Sequence, residues 1–133
     1  MNPIDTLAGI VHEAGYLAVT EERRVTFKVE GVEHRFELFG DDTNYARLIA
    51  GFAIPANADV DALPAAANAQ IRTTKSVKTV VYPFPDEGSI CFSIEMFFDE
   101  ATAWEPIFGR SLAAIRGASD DYYDSLRHAG AAA

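Results

Sequence analysis

The sequence predicts an α+β domain in which helices cover one face of an antiparallel β-sheet. Apolar and polar residues alternate over residues 25–38 and again over 76–98, as expected of paired strands. Apolar residues recur at steps of three and four over 3–14 and 102–128, as expected of amphipathic helices. Because strands adjacent in sequence form hairpins, this order favours an antiparallel sheet with helices against one face.

The first helix is predicted for residues 3–14. Asn2 followed by Pro3 is a typical start, because asparagine caps the first turn and proline fits the first helical position. Gly15 is a natural C-terminal cap. The next segment, YLAVT at 16–20, is predicted to be a short strand.

A β-hairpin is predicted over residues 25–38, with its bend at 30–31. The pair Asp41-Asp42 then offers a cap to a predicted helix with apolar residues at i, i+3, i+4 and i+7. These apolar residues are Tyr45, Leu48, Ile49 and Phe52, and the helix ends before Pro55.

A second helical segment is predicted to begin near Asp61. With Asp61 as its cap, Pro64 is the third helical residue, where a missing N–H breaks no intrahelical hydrogen bond. Ala67 and Ile71 continue the predicted buried stripe of this helix.

Two further strands are predicted over 76–84 and 89–98, joined by the turn sequence PDEG. The last helix, about 102–128, is the longest and contains a stripe of small residues that lets another backbone approach closely. Each glycine costs about 1 kcal/mol relative to alanine inside a helix, which indicates a packing role. The stripe consists of Gly109, Ala113 and Gly117. The sequence leaves open whether it packs on the chain's own sheet or on another chain.

The composition predicts one domain of 133 residues, ordered over about 3–128. Eleven Lys and Arg against twenty Asp and Glu give a formal charge of -9, which disfavours nucleic acid and anionic membranes as partners and favours a neutral or basic protein segment. No apolar run approaches the roughly 20 residues needed to span a bilayer, and no secretory signal is recognised. With a single cysteine, Cys91, these features predict a cytoplasmic protein.

The sequence contains little recognisable chemistry. VHEAGY begins like the zinc-binding pattern His-Glu-x-x-His, but Tyr16 stands where the second histidine is needed. His34, His128 and Cys91 have no metal-ligand spacing, and the acidic pairs lie at predicted helix starts, turns or solvated faces. We therefore expect no enzymatic activity, no metal and no cofactor. The alternative, a small-molecule hydrolase or metal enzyme, would need a pocket that gathers His34, Cys91 and acidic groups.

The two late strands carry more apolar residues than one buried face requires. The core row of the last strand is Ile90, Phe92, Ile94, Met96 and Phe98. The opposite faces carry Val80, Tyr82 and Phe84 in one strand and Phe97 in the next. A sheet with helices on one side usually has a polar outer face, so these four residues are predicted to contact another protein or a second copy of the chain. The alternative is that Tyr82 and Phe97 cover the core rim or lie under the loop 54–60.

Two segments carry a resemblance to a known family: FKVEGVEHRFELFGDD, and FAIPANADVDALPAAANAQIRTTKSVKTVVYPFPDEGSICFSIEMFF. With the long amphipathic final helix, they resemble the YbjN-type proteins over residues 3–128. That family is described as regulators of sensory transduction and shares the fold of the type III secretion chaperones (Tir-chaperone-like). The resemblance implies a two-layer α-β(3)-α-β(2)-α domain, commonly dimeric and without enzymatic activity. The secretion chaperones bind an extended segment of a partner protein on hydrophobic patches.

The leading hypothesis is a cytoplasmic homodimer that holds a segment of a client protein in chaperone-like fashion. The alternative hypothesis is a regulatory module of signal transduction that acts through protein–protein contacts without touching DNA. The partners that co-purify with the chain would separate the two hypotheses.

Overall fold

The structure is a computed structural model that describes residues 2–83 and 87–128. The described elements are α1 (Pro3–Glu13), β1 (Val19–Thr20), β2 (Arg24–Val29), β3 (Val32–Leu38), β4 (Tyr45–Ala53), α2 (Ala62–Ile71), β5 (Lys78–Tyr82), β6 (Ser89–Phe97) and α3 (Trp104–His128). Six strands form one sheet in the order β1-β2-β3-β4-β6-β5, and each neighbouring pair is antiparallel. The predicted α+β class with an antiparallel sheet is confirmed.

One predicted element is wrong. Residues 45–52, predicted as a helix, lie in strand β4, which pairs with β3 on one side and β6 on the other. Ala46, Leu48 and Ala50 are buried towards the helices, and Ile49 is also buried on the opposite face. A strand that is buried on both faces has a continuous run of apolar residues, and such a run also fits the spacing of a buried helix. Here the pairing with β3 and β6 determines that the segment is a strand. The observed order is therefore α-β(4)-α-β(2)-α.

The ends of α1 agree with the sequence prediction. The Asn2 side chain accepts a hydrogen bond from the Ile4 N–H at 3.0 Å. Gly15 follows the helix at a φ of 96°, a left-handed conformation that glycine adopts without strain.

Two other local predictions are corrected. Asp42 caps no helix; its carboxylate accepts the Asn44 N–H in the turn before β4. Asp61 precedes α2 without a side-chain capping bond, and Ile71 is exposed at 48% rather than buried. Leu63 and Ala67 form the apolar buried positions of α2 instead.

Aromatic rings join α3 to one face of the sheet. Phe108 packs against Phe27 and Phe36 at centroid distances of 5.8 and 5.7 Å. Near the other end of the helix, Tyr122 packs edge-to-face on Phe92 at 5.6 Å. All five of these residues are 2% exposed or less, so they form the centre of the core.

The other two helices lie on the same side. Leu7 and Val11 of α1 and Leu63 of α2 belong to the same buried cluster. Two buried hydrogen bonds tie α2 to α3: the Gln70 side chain donates to the Ala118 carbonyl at 2.6 Å, and the Tyr122 hydroxyl donates to the Leu63 carbonyl at 2.9 Å. The molecule therefore has two layers, one of helices and one of sheet.

Removal of the Tyr122 hydroxyl tests the link between α2 and α3. Tyr122→Phe removes the hydroxyl's bond to the Leu63 carbonyl, which keeps only its donor within α2, so the free energy of unfolding should fall by about 1 kcal/mol. Urea unfolding followed by circular dichroism measures this. The control is Tyr123→Phe, because the Tyr123 hydroxyl makes no hydrogen bond to the described residues. Equal losses in the two variants would contradict the assignment.

Candidate functional site

The sheet face opposite the helices is covered by no described helix or strand. Residues directly opposite one another on paired antiparallel strands share a face, so the register defines this surface. We call it the open face, and its strand residues are Val19, Arg24, Thr26, Lys28, Glu33, Arg35, Glu37, Tyr45, Arg47, Ile49, Gly51, Ala53, Lys78, Val80, Tyr82, Ser89, Cys91, Ser93, Glu95 and Phe97.

A group of aromatic rings, Phe39, Tyr45 and Phe97, lies at one end of the open face; we call it the aromatic cluster. Phe97 is 79% exposed, and its ring lies 4.7 Å from that of Tyr45. Tyr45 in turn lies 6.0 Å from Phe39, whose ring is 4.5 Å from the Arg47 guanidinium. Exposed aromatic surface of this kind often marks protein–protein contact.

Charged side chains cover the middle of the open face. Arg47 forms an ion pair with Glu37 at 2.5 Å. Glu95 accepts hydrogen bonds from Lys78 and from the Tyr45 hydroxyl, both at 2.8 Å. These bonds stabilise the carboxylate, so the pKa of Glu95 is lowered, first by Lys78 and then by Tyr45. The Tyr45 ring is thereby fixed beside Phe97.

The structure places three of the four predicted contact residues on the open face, and Phe84 lies outside the described residues. Val80 is opposite Cys91 and Tyr82 is opposite Ser89, and both are half-buried. Phe97 is eight residue steps from Ser89 along β6, about 26 Å away. The predicted residues therefore share a face without forming one cluster.

The exposure of Phe97 excludes the alternative in which its side chain covers the core rim. Its actual neighbour is Tyr45, which in turn contacts Phe39, and the sequence reasoning missed both because Tyr45 was assigned to a helix. Correct assignment of β4 as a strand would have placed Tyr45 on an outer face, which is the signal that could have found it.

The small-residue stripe on α3 does not pack on the chain's own sheet. Gly109, Ala113 and Gly117 are all exposed. A Cβ added at either glycine would meet nothing within 4 Å. Contact of this stripe with another chain stays a prediction, because a small-residue stripe alone does not define such a contact.

The two groups that an enzyme would need are on opposite sides of the sheet. Cys91 lies on the open face at 4% exposure, and burial raises the pKa of its thiol. His34 lies on the helix side of β3, where its Nδ1 donates to the Val32 carbonyl at 3.0 Å. Among residues 2–83 and 87–128, no three His, Cys, Asp or Glu side chains are placed to hold a metal ion. None of the described helices has the combination of length and apolar content that a membrane-spanning helix needs.

The chain has a two-layer α+β fold, and solved structures of other proteins share this fold. YbjN of E. coli, described as a candidate transcription regulator, matches with a TM-score of 0.70 and 14% identity, covering 93% of this chain and 91% of YbjN. A chain of the HopA1–SchA chaperone–effector complex matches with a TM-score of 0.62 and 11% identity, covering 89% of this chain and 90% of the other.

A third match is an uncharacterised protein of Methanothermobacter thermautotrophicus, with a TM-score of 0.71, 8% identity and coverage of 95% and 97%. No model of a known protein family matches the sequence, and no curated protein matches it. At these identities the likeness shows the fold alone. The chain has the fold shared by YbjN and a chain of the HopA1–SchA complex, which confirms the resemblance in fold.

The buried His34 predicts a loss of stability in mild acid. Burial is the larger effect and lowers the pKa of His34, while the bond to Val32 opposes it. The contribution of neutral His34 to stability is fully present above the pKa of histidine in the unfolded chain, about 6.5. It is lost as the pH falls from that value through the lower pKa of His34 in the folded chain. His34→Phe should therefore lose less stability between pH 7.5 and 5.5 than the wild type, measured by urea unfolding. His12→Gln, at an exposed histidine, is the control and should behave like the wild type. A His34→Phe variant with an unchanged loss would contradict the prediction.

Proposed function

We propose that this chain is a non-enzymatic protein-binding module that holds a segment of a partner protein on the open face. The observation that carries the proposal is the aromatic cluster, in which Phe97 is 79% exposed on a sheet face that no described helix covers. Burial of such a ring by a partner removes a large apolar area from water. The match to a chaperone–effector complex supports a protein as the partner.

The charges of the open face refine the chemistry of that partner. The strands of this face carry five cations (Arg24, Lys28, Arg35, Arg47 and Lys78) and three carboxylates (Glu33, Glu37 and Glu95), and Glu21 beside them forms an ion pair with Arg24. With Glu21 counted, the formal balance of the face is 5 - 4 = +1, in a chain whose total is -9. Lys28 and Arg35 form no ion pair with the described residues. We therefore propose that the bound segment combines apolar anchor residues with Asp or Glu, in place of the neutral or basic segment expected from the total charge.

The shape of the surface favours an extended segment. The aromatic cluster and the pair Val80 and Tyr82 lie at opposite ends of β6, about 26 Å apart. A segment of about eight extended residues spans this distance. The charged middle of the face would then contact the polar residues between two apolar anchors.

Peptide selection tests the binding surface. Random peptides displayed on phage and selected on the immobilised protein should be enriched in apolar residues accompanied by Asp or Glu. Phe97→Ser should weaken the selected peptides at least tenfold, because truncation of an aromatic hot-spot residue costs about 2 kcal/mol or more. Ile107→Ser is the matched control, because Ile107 is an exposed apolar residue of α3 on the other layer. Peptides that bind Phe97→Ser as tightly as the wild type would remove the proposal.

We include a homodimer in this proposal, and sedimentation equilibrium at tens of micromolar tests it. A wild-type dimer with a monomeric Phe97→Asp variant would place the dimer contact at the aromatic cluster. If both proteins are dimers, the open face is left for the client. A strictly monomeric wild type would contradict the homodimer. It would not affect the proposed peptide-binding surface, which the peptide selection tests separately.

A second candidate is a regulatory module of signal transduction that acts through protein contacts. The likeness to YbjN, described as a candidate transcription regulator, favours it. The -9 charge disfavours direct contact with DNA, so such a module would bind a regulator or a kinase. Under both candidates we place the protein in the cytoplasm, where a lone free thiol such as that of Cys91 is common.

A further inference from the structure

A cavity of about 450 Å³ lies on the other side of the sheet from the open face, between α3 and the turn that joins β2 and β3. Its floor contains Ala50 and Phe52 of β4, and its roof contains Leu112, Ile115 and Tyr123 of α3. This volume lies in the range of small-molecule sites, which are mostly apolar with a few placed polar groups. The cavity shares no residue with the open face.

Two buried polar side chains of the cavity offer hydrogen-bond acceptors, while two tyrosine hydroxyls that also line it can donate or accept. His34 lines it and is 6% exposed, with its Nδ1 directed to the Val32 carbonyl. Donation by Nδ1 leaves Nε2 as an acceptor, and Nε2 makes no bond to the described residues. Ser119 also lines the cavity and donates its hydroxyl proton to the Arg116 carbonyl, so its free lone pairs can only accept.

The charges at the rim disfavour an anionic ligand. Arg116 is held in an ion pair with Glu30 at 2.6 Å, which bridges α3 and the β2–β3 turn. Asp120 also lines the rim. With its one cation paired, this cavity offers no free positive charge to a carboxylate or phosphate among the residues that line it.

We propose that this cavity binds a small neutral aromatic molecule that carries a hydrogen-bond donor, of the phenol or indole class. The rings of Phe52 and Tyr123, 5.7 Å apart and nearly perpendicular, provide aromatic walls for a planar ligand. The ligand's N–H or O–H would donate to Nε2 of His34. A ligand without a donor would cover this acceptor and leave it unsatisfied, and it should therefore bind more weakly.

Amide NMR titration with indole tests the proposal, with 1-methylindole as the analogue that lacks the donor and indole-3-carboxylate as the anionic analogue. Indole should bind saturably and shift the amides of Ala50 and Ser119, and both analogues should bind at least tenfold more weakly. His34→Phe should weaken indole about tenfold and should not weaken 1-methylindole.

A second variant keeps the test decisive if His34→Phe fails to fold. Ala113 is exposed at the cavity rim, so Ala113→Phe should block indole while leaving the core intact. Arg110→Phe, at an exposed α3 position that does not line the cavity, is the control and should bind normally. Absence of saturable indole binding, equal affinity for 1-methylindole, preference for the carboxylate, or shifts confined to the open face would each overturn the proposal. None of these outcomes bears on the peptide test at Phe97.

Discussion

The contact between the aromatic rings of α3 and one face of the sheet determines what the other face can do. Because Phe108 packs on Phe36 and Tyr122 packs on Phe92, the long helix lies on that side, and α1 and α2 pack around it. Among the described residues, the opposite face therefore has only its own side chains to exclude water. In the middle of the open face, charged side chains of neighbouring strands cover the sheet. At one end of this face, Phe97 extends into solvent.

The same one-sided packing separates two chemical environments. Cys91 faces one side of the sheet and His34 the other, so a thiol–imidazole pair does not form from these residues. The open face is large, charged and aromatic at its edge, which suits an extended polypeptide. The cavity under α3 is small and has aromatic walls and a buried imidazole acceptor, that of His34, which suits a compact molecule. Two separate binding functions can therefore reside in one small domain without sharing a side chain.

The sequence predicted the helices and strands correctly where only one face of the element is buried, because apolar residues then recur at a regular spacing. The helix capped by Asn2, the β2–β3 hairpin and α3 each follow one regular pattern, and Phe97 was correctly placed opposite the core row. The pattern failed in β4, where Ile49 is buried on the face opposite Leu48 and the apolar run fits a helix as well as a strand. The aromatic cluster was missed for a related reason: Tyr45 and Phe97 are 52 residues apart and meet only through the β4–β6 register. Local patterns do not contain that long-range pairing.

Hydroxyl-radical footprinting of the isolated protein at low micromolar concentration measures the exposure of individual aromatic side chains and tests the one-sided packing most directly. The account predicts rapid oxidation of Phe97 and slow oxidation of Phe36 and Phe92, which are fully buried under the helices. Phe97 should become protected when a selected peptide is added, while Ile107 on the helix layer should not change. If Phe97 in the dilute, unliganded protein is as slow to oxidise as Phe92, its ring is covered by the chain itself, and the open face does not exist.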